Sequence, residues 1–320
     1  MKFTIENLLA VSAKRLSKIS PSPFLDAEVL LSFVLKKNRE YLIINKDNNL
    51  TTKQLYKFNS LIKRRANGMP VAYLVGRKEF YGYDFFINRN VLIPRPETER
   101  LVELAGNVIK RQQTNIGSVI DVGTGSGCII ISLAKYLQTA NRKLLTNFYA
   151  TDASKKALAV AQKNARRHKV KIKFLYGNLL SPLPQTIFSK PPTNLIVANL
   201  PYLTPAEYRS NPDLKREPRA ALIGGKDGLK YFRELFGQLT AVSAKKKRGR
   251  KPQFIMFLEH SPAQKNSLAK LINKYFPNAS FKFHKDLSGK WRSLEIKTRP
   301  IEKLIIKKQV DCKKSYLNYT

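Results

Sequence analysis

Asp121-Val122-Gly123-Thr124-Gly125-Ser126-Gly127 follows the apolar pair Val119-Ile120 and leads into an amphipathic segment from Cys128 to Leu137. Three alternating glycines let a backbone turn sharply and approach a ligand with no Cβ in the way. N–H groups exposed where the next helix begins favour a carboxylate or a phosphate. The turn reads in two ways, as the seat of a nucleoside-containing cofactor or as a purely structural strand-to-helix turn. Its Gly-x-Gly-x-Gly order departs from the Gly-x-Gly-x-x-Gly spacing of dinucleotide sites.

Working outward, the same strand–helix alternation recurs. Val119–Val122 is a short buried strand, and Cys128 to Leu137 is its helix. Phe148–Thr151 is the next strand, followed by a helix from Ser154 to His168. Ile172–Tyr176, Leu195–Ala198 and Phe254–Leu258 supply three more strands, and Phe281–Phe283 with Leu294–Ile296 suits a closing antiparallel pair. Such alternation predicts an α/β fold, a doubly wound Rossmann-like domain with a mostly parallel sheet. Ligands in that architecture bind at the carboxyl ends of the strands.

Before residue 91 the pattern differs. Residues 1–72 read as a small helical bundle: Phe3, Leu8, Leu9, Val11 and Leu16 keep helical spacing, and Leu25 to Leu35 repeats it after Pro21 and Pro23. Thr51-Thr52 reads as a cap for a helix carrying Leu55, Phe58, Leu61 and Ile62, which Gly68-Met69-Pro70 ends. A β-rich stretch follows at Tyr73, Leu74 and Val75, and Phe80 to Ile87 alternates around Gly82 as a hairpin does. Residues 73–90 are thus expected to be a β-hairpin linker, 91–300 the α/β domain, and 301–320 a basic extension.

At 320 residues the chain suits two domains of ordinary size, and 43% hydrophobic residues can fill their cores. Fifty-nine Lys and Arg against 22 Asp and Glu leave a net charge of +37. An excess of that size favours polyanions such as nucleic acid, although lysines spread along a whole chain also arise from codon bias. The run at 245–251 reads as a nucleic-acid patch or as a solvated loop. Two cysteines, Cys128 and Cys312, make no disulfide framework, and three histidines have no ligand spacing, so no metal centre is expected. Met1 to Glu6 carries an early acid and lacks a signal-peptide core, and no run approaches the roughly 18 apolar residues of a membrane span. The expectation is a soluble, cytoplasmic protein that binds no membrane.

Two further strand ends carry chemistry. Asp152 can accept hydrogen bonds from both hydroxyls of a ribose, or it can cap the helix that begins near Ser154. Asn199-Leu200-Pro201-Tyr202 closes the fourth strand. An amide or aromatic-amine nitrogen is a poor nucleophile because its lone pair is delocalised. The Asn199 side-chain oxygen and the Leu200 carbonyl could accept its two N–H donors and orient it for attack on a methyl donor. Pro201 would hold the turn, and Tyr202 would pack on a flat substrate; an ordinary Asn- and Pro-containing turn is the plainer alternative.

With these residues on the page, the chain resembles the release-factor glutamine methyltransferases of the HemK/PrmC type over nearly its whole length. Ser22 to Glu28, Pro70-Val71-Ala72-Tyr73 and Glu79-Phe80-Tyr81-Gly82 are similar to that family's substrate-recognition domain and linker. Leu92-Ile93-Pro94-Arg95-Pro96-Glu97-Thr98-Glu99 is similar to its most distinctive string, and Glu217-Pro218-Arg219, Gly224-Gly225 and Asp227-Gly228-Leu229 to a later block. The resemblance implies a class I methyltransferase fold with S-adenosylmethionine as cofactor. Asp121, Gly123, Thr124, Gly125, Ser126, Gly127, Asp152, Asn178, Leu179 and Asn199 would bind that cofactor. Arg95, Pro96, Glu97 and Asn199 to Tyr202 would hold the substrate. The product would be N5-methylglutamine in the Gly-Gly-Gln loop of a peptide-chain release factor, with weak ribosome or RNA association through the basic surface. Three departures stand out. Leu200 replaces the family's first proline, which also makes the motif similar to that of ribosomal-RNA adenine dimethylases. Asn178 stands where the family has Asp, and His260 follows Glu259 where a Gly is common, reading as a solvated loop histidine. The alternatives are therefore a nucleic-acid adenine-N6 methyltransferase or a binding paralogue with weakened turnover.

Overall fold

The computed structural model describes residues 4–111, 116–139, 147–189, 193–244 and 252–298. The basic run at 245–251, the extension at 301–320, Phe3 and Cys312 lie outside them. The chain opens with α1 (Ile5–Leu16), α2 (Pro23–Leu35), α3 (Arg39–Ile44), α4 (Thr52–Ala66) and the short α5 (Val71–Val75). Thr4 caps α1 by accepting from the Asn7 N–H, and Thr51 and Gln54 form a reciprocal capping box on α4. Leu9, Leu16, Leu30, Leu31, Phe58 and Ile62 meet in one core between these helices.

The strand character expected at Tyr73, Leu74 and Val75 is corrected by α5. Pro70 stands at its N-cap with φ −57° and ψ 137°, and Gly76 ends it in the left-handed region at φ +71°. Start and stop signals six positions apart outweigh the β-propensity of Val and Tyr, which reports packing context more than backbone preference. A hairpin follows, β1 (Arg77–Phe80) and β2 (Tyr83–Phe86), in antiparallel register. Its two turn residues, Tyr81 and Gly82, both have positive φ (53° and 72°), the twist a two-residue hairpin turn requires.

Seven strands form the main sheet: β3 (Ile116–Val122), β4 (Asn147–Asp152), β5 (Lys173–Tyr176), β6 (Thr193–Ala198), β7 (Phe254–Glu259), β8 (Ser280–Lys285) and β9 (Trp291–Lys297). Their spatial order is β5-β4-β3-β6-β7-β9-β8, and among these described strands β9 alone points opposite to the other six. The connecting helices are α6 (Glu99–Arg111), α7 (Cys128–Thr139), α8 (Lys155–Arg167), α9 (Thr186–Ser189), α10 (Pro205–Ser210), α11 (Lys230–Ala244) and α12 (Lys265–Tyr275). Alternate side chains of each central strand serve opposite faces. Val119, Val197 and Phe257 pack with Leu101, Ile109 and Leu133 of α6 and α7. Ile120, Ile196 and Met256 pack with Phe232 and Phe236 of α11 and Ile272 of α12. Burial on both faces explains why these strands read as unbroken apolar runs. The chain leaves β3 toward β4 on one side, and β6 lies on the other. That reversal opens a crevice at the carboxyl ends of the strands.

Candidate active site

A cavity of about 280 Å³ occupies that crevice. The loop from Gly123 to Gly127 forms its floor, and the three glycines answer to three different constraints. Gly123 has φ +73°, and a Cβ there would come within 3.3 Å of Leu200 Cδ2. Gly125 has φ +54°, and its missing Cβ faces open space. Gly127, at φ +82°, packs α7 against α8: a Cβ would meet Ile131 Cδ1 at 2.9 Å and Ala161 Cβ at 3.2 Å. Gly123, Thr124, Gly125 and Ser126 line the cavity, whereas Gly127 does not.

Asp152 ends β4 on the cavity wall. Its Oδ2 accepts the Gly125 N–H at 2.9 Å and its Oδ1 the Ser154 N–H at 2.8 Å. The cap of α8 is Ser154, which accepts from the Ala157 N–H at 3.1 Å, so Asp152 is not that cap. Asp152 instead ties the glycine loop to the neighbouring strand end. Burial raises its pKa, and the two N–H donors pull the other way. Asp121 lies behind the wall, fully buried. Its Oδ2 accepts from the Thr124 hydroxyl at 2.7 Å, and its Oδ1 has no hydrogen-bond partner among the described residues. Desolvation pushes this carboxyl up to about 7. Cys128, also on the wall, is pushed up to about 12 by burial and is inert as a nucleophile.

Asn178 and Leu179 close the side formed after β5. Leu179 holds a left-handed backbone (φ 51°) while its side chain is buried, an unusual conformation for a branched residue. Asn178 donates from Nδ2 to Glu234 Oε2 at 3.2 Å, which leaves its Oδ1 as an acceptor beside the cavity.

The loop after β6 is the most constrained part of the site. Asn199, Leu200 and Pro201 line the cavity. The Leu200 side chain is buried in the α11/α12 core. Gln264 Nε2 donates to the Tyr202 carbonyl at 2.9 Å, and the Leu203 carbonyl accepts the Gly224 N–H at 2.8 Å. Gly224 and Gly228 press on the same backbone: a Cβ on Gly224 would stand 2.4 Å from the Pro201 carbonyl oxygen, and one on Gly228 2.1 Å from that of Tyr202. Asn199 Nδ2 donates to Thr98 Oγ1 at 3.0 Å, Thr98 Oγ1 donates to Glu259 Oε2 at 2.6 Å, and the Tyr202 hydroxyl donates to Glu259 Oε1 at 3.1 Å. With its amide nitrogen committed, Asn199 has its oxygen free, and no described residue donates to the Leu200 carbonyl. Glu259 is fully buried, and desolvation raises its pKa against the pull of those two hydroxyls and the charge of Arg292.

Several sequence expectations shift here. Tyr202 does not line the cavity; it packs on the α11/α12 core with its hydroxyl bound to Glu259, whose charge helps burial raise the phenol's pKa. Arg95 lines the cavity and pairs with buried Glu217, whose other oxygen accepts the Ile93 N–H at 3.0 Å. Pro96 and Glu97 stand exposed beside it, off the lining. His260 is no solvated loop residue: it is buried, its Nδ1 bound to the Ser261 carbonyl at 2.8 Å and its ring edge-on to Phe283. β9 covers it, as the Arg292 carbonyl accepting the His260 N–H at 3.0 Å shows. Thr98, Glu217 and Glu259 escaped the residue reading because each is defined by a partner more than a hundred positions away. Thr98 and Glu217 sit within quoted strings, but nothing local marks what they bind. Asn164 belongs with them: on α8, fully buried, it holds both Phe86 backbone groups and the Ser126 carbonyl.

Comparison with known proteins bears directly on this arrangement. Residues 7–76 match the PrmC N-terminal domain, and residues 114–247 match a methyltransferase domain. The release factor glutamine methyltransferase of Bacillus anthracis is 35% identical over 271 residues, 83% of this chain and 89% of the relative. That of Dictyoglomus turgidum is 34% identical over 286 residues, covering 88% and 94%. The chain belongs to the release factor glutamine methyltransferase family. The relative of the same description from Nitratidesulfovibrio vulgaris is 35% identical over 277 residues, covering 85% and 87%. Solved structures match less closely; the catalytic domain of hMettl16 with an RNA hairpin is 16% identical, covers 74% of this chain and 81% of that chain, and gives a TM-score of 0.49.

Members of such a family use S-adenosylmethionine, and the cavity suits that molecule. Gly125 presents bare backbone to open space, the room a bulky ligand needs. Asp152 and the Asn178 oxygen offer acceptors for a ribose diol and an adenine amine. Asp152 on the wall and Asp121 behind it are acidic groups, which suits a ligand that carries positive charge. Among the described residues no helix is long and apolar enough to cross a membrane.

Proposed function

We propose that this chain transfers the methyl group of S-adenosylmethionine to the side-chain amide of the glutamine in the Gly-Gly-Gln loop of a peptide-chain release factor. The observation that carries the reading is the pair of free acceptors at the cavity wall, Asn199 Oδ1 and the Leu200 carbonyl, in a chain of this family. A primary amide has two N–H donors, and two fixed acceptors take both. Holding them draws the nitrogen out of conjugation with its own carbonyl and aims its lone pair into the cavity. Clamping by Gly224, Gly228 and Gln264 keeps those acceptors still, so that orientation supplies much of the rate. The cofactor supplies an electrophilic methyl on a sulfonium. Gly123 to Ser126, Asp152, Asn178, Leu179 and Asn199 are the residues we assign to holding it, with Asp121 bracing the loop through Thr124 and Gly127 through its packing on α8.

We assign Arg95, Pro96 and Glu97 to the substrate side; Arg95 lines the cavity and is pinned by Glu217, which supports that reading. The helical bundle presents Phe24, Ile43, Ile44 and Tyr56 to solvent, and apolar exposure of that kind supports a role in docking the protein substrate. A net charge of +37 supports weak ribosome or RNA association in the cytoplasm, where such a substrate works. The test is incubation with S-adenosylmethionine and either release factor or ribosomal RNA, followed by mass spectrometry. Methyl on the Gly-Gly-Gln glutamine is expected; methyl on adenine alone would overturn the reading.

A further inference from the structure

We infer that Glu259, acting through Thr98, dictates which end of the Asn199 amide faces the cavity. The inference rests on the proposed transfer reaction and adds a positioning residue to it. An asparagine amide is nearly symmetric in shape, so packing alone does not distinguish its oxygen from its nitrogen. The two orientations have opposite consequences. With the oxygen inward, Asn199 accepts a substrate N–H; with the nitrogen inward, two donors face each other and the substrate amide is repelled.

The hydrogen-bond chain breaks that symmetry. A carboxylate only accepts, and Glu259 receives the Tyr202 hydroxyl on one oxygen and the Thr98 hydroxyl on the other. At 2.6 Å the Thr98 hydroxyl sits well within hydrogen-bond reach of that oxygen. Thr98 therefore spends its single proton on Glu259 and can only accept from Asn199. That requirement draws Nδ2 to Thr98 and turns Oδ1 toward the substrate. Every member is short of freedom: Thr98 is 2% exposed and Glu259 2%, so neither has water as an alternative partner. Thr98 is fixed from a second side because it ends the turn Pro96–Thr98 that leads into α6. The polarity of the acceptor that meets the substrate is thus set two residues away, by a carboxylate that never touches it.

Substitutions at Thr98 separate this role from packing. Thr98→Ser keeps the hydroxyl and loses a methyl, whereas Thr98→Val keeps the shape and loses the hydroxyl. Removing the acceptor itself with Glu259→Met frees the Thr98 proton to point at Asn199 and favours the reversed amide. Each variant would be assayed for kcat and KM on release factor, for cofactor affinity by calorimetry, and for thermal unfolding. Thr98→Val and Glu259→Met should lower kcat on the order of 10- to 100-fold, well beyond any change in cofactor affinity. Thr98→Ser should stay within about threefold of wild type, and the double variant should be no worse than either single loss. A serine variant weaker than the valine variant means packing, and it overturns the inference, as does wild-type kcat in a folded Glu259→Met. Should Glu259→Met not fold, the Thr98 pair decides by itself. Absence of methyl transfer to release factor by the wild-type protein would instead sink the proposed function.

Discussion

Replacing Asp121 with asparagine should remove a loss of stability that the cofactor-free protein suffers as pH rises, while weakening its cofactor site. The wild-type carboxyl is fully buried, has one hydroxyl partner and one bare oxygen, and is pushed up to about 7. In the unfolded chain it titrates near 3.9. The folded state therefore holds a proton that the unfolded state has lost between about pH 4 and pH 7, and stability falls as pH rises through that window. Between pH 5.5 and pH 8.5 the two titrations together cost the wild-type fold about 2 kcal/mol. For domains of this size that is roughly 4–8 °C in Tm. Asparagine cannot ionise, so the variant escapes this cost. Its new N–H donors cost about 1–3 kcal/mol if unpaired, but equally at both pH values. The diagnostic quantity is then the change with pH in the Tm difference between variant and wild type, measured by scanning calorimetry without cofactor. The variant should gain several degrees on wild type between pH 5.5 and pH 8.5. A difference that is flat with pH, or that favours the variant more in acid, would refute the assignment of a strained buried charge.

Gly125→Ala and Gly127→Ala should divide the two functions of the glycine loop. The first places a methyl in the cavity and should abolish cofactor binding for a strain of about 1 kcal/mol in a calorimetric titration. The second collides with Ile131 and Ala161 and should lower Tm before it touches affinity. Gly228→Ala, whose methyl would stand 2.1 Å from the Tyr202 carbonyl oxygen, should reduce kcat at least tenfold with cofactor affinity largely kept, read by the same titration and initial rates. Asn164→Leu unpairs the buried Ser126 carbonyl and two partly buried Phe86 backbone groups, and should cost about 2–4 kcal/mol in denaturant unfolding.

The sheet was legible because its central strands are buried on both faces, which leaves unbroken runs such as Leu195 to Ala198 with few other readings. The glycine turn after β3 was legible as a sharp strand-to-helix turn, since three glycines at a strand end, each at positive φ, have few other uses. Tyr73 to Val75 was misread because residue type was weighed over the bracketing Pro70 and Gly76, which were both visible. Sequence periodicity could not place Tyr202, whose ring would suit a flat substrate equally well from the core or from the cavity. The partners of Thr98, Asn164 and Glu259 were out of reach, because side-chain hydrogen bonds across 38 to 161 positions leave no local pattern. His260 belongs to the same class: a strand that arrives 32 residues later buries it.

Asn164 has a consequence for how such a protein can be divided or recombined. Its amide grips Phe86 of the hairpin with both ends and Ser126 of the glycine loop with its nitrogen, and Phe80 and Phe85 are buried in the core beneath α6 and α7. A chain trimmed to start at residue 91 would discard the hairpin and leave this asparagine holding nothing on one side, directly behind the floor of the cavity. The natural seam lies earlier, at Gly76, where the backbone turns left-handed and no neighbour stands within 4 Å of a missing Cβ. Exchanging helical heads between relatives should succeed there, with the hairpin travelling with the catalytic body.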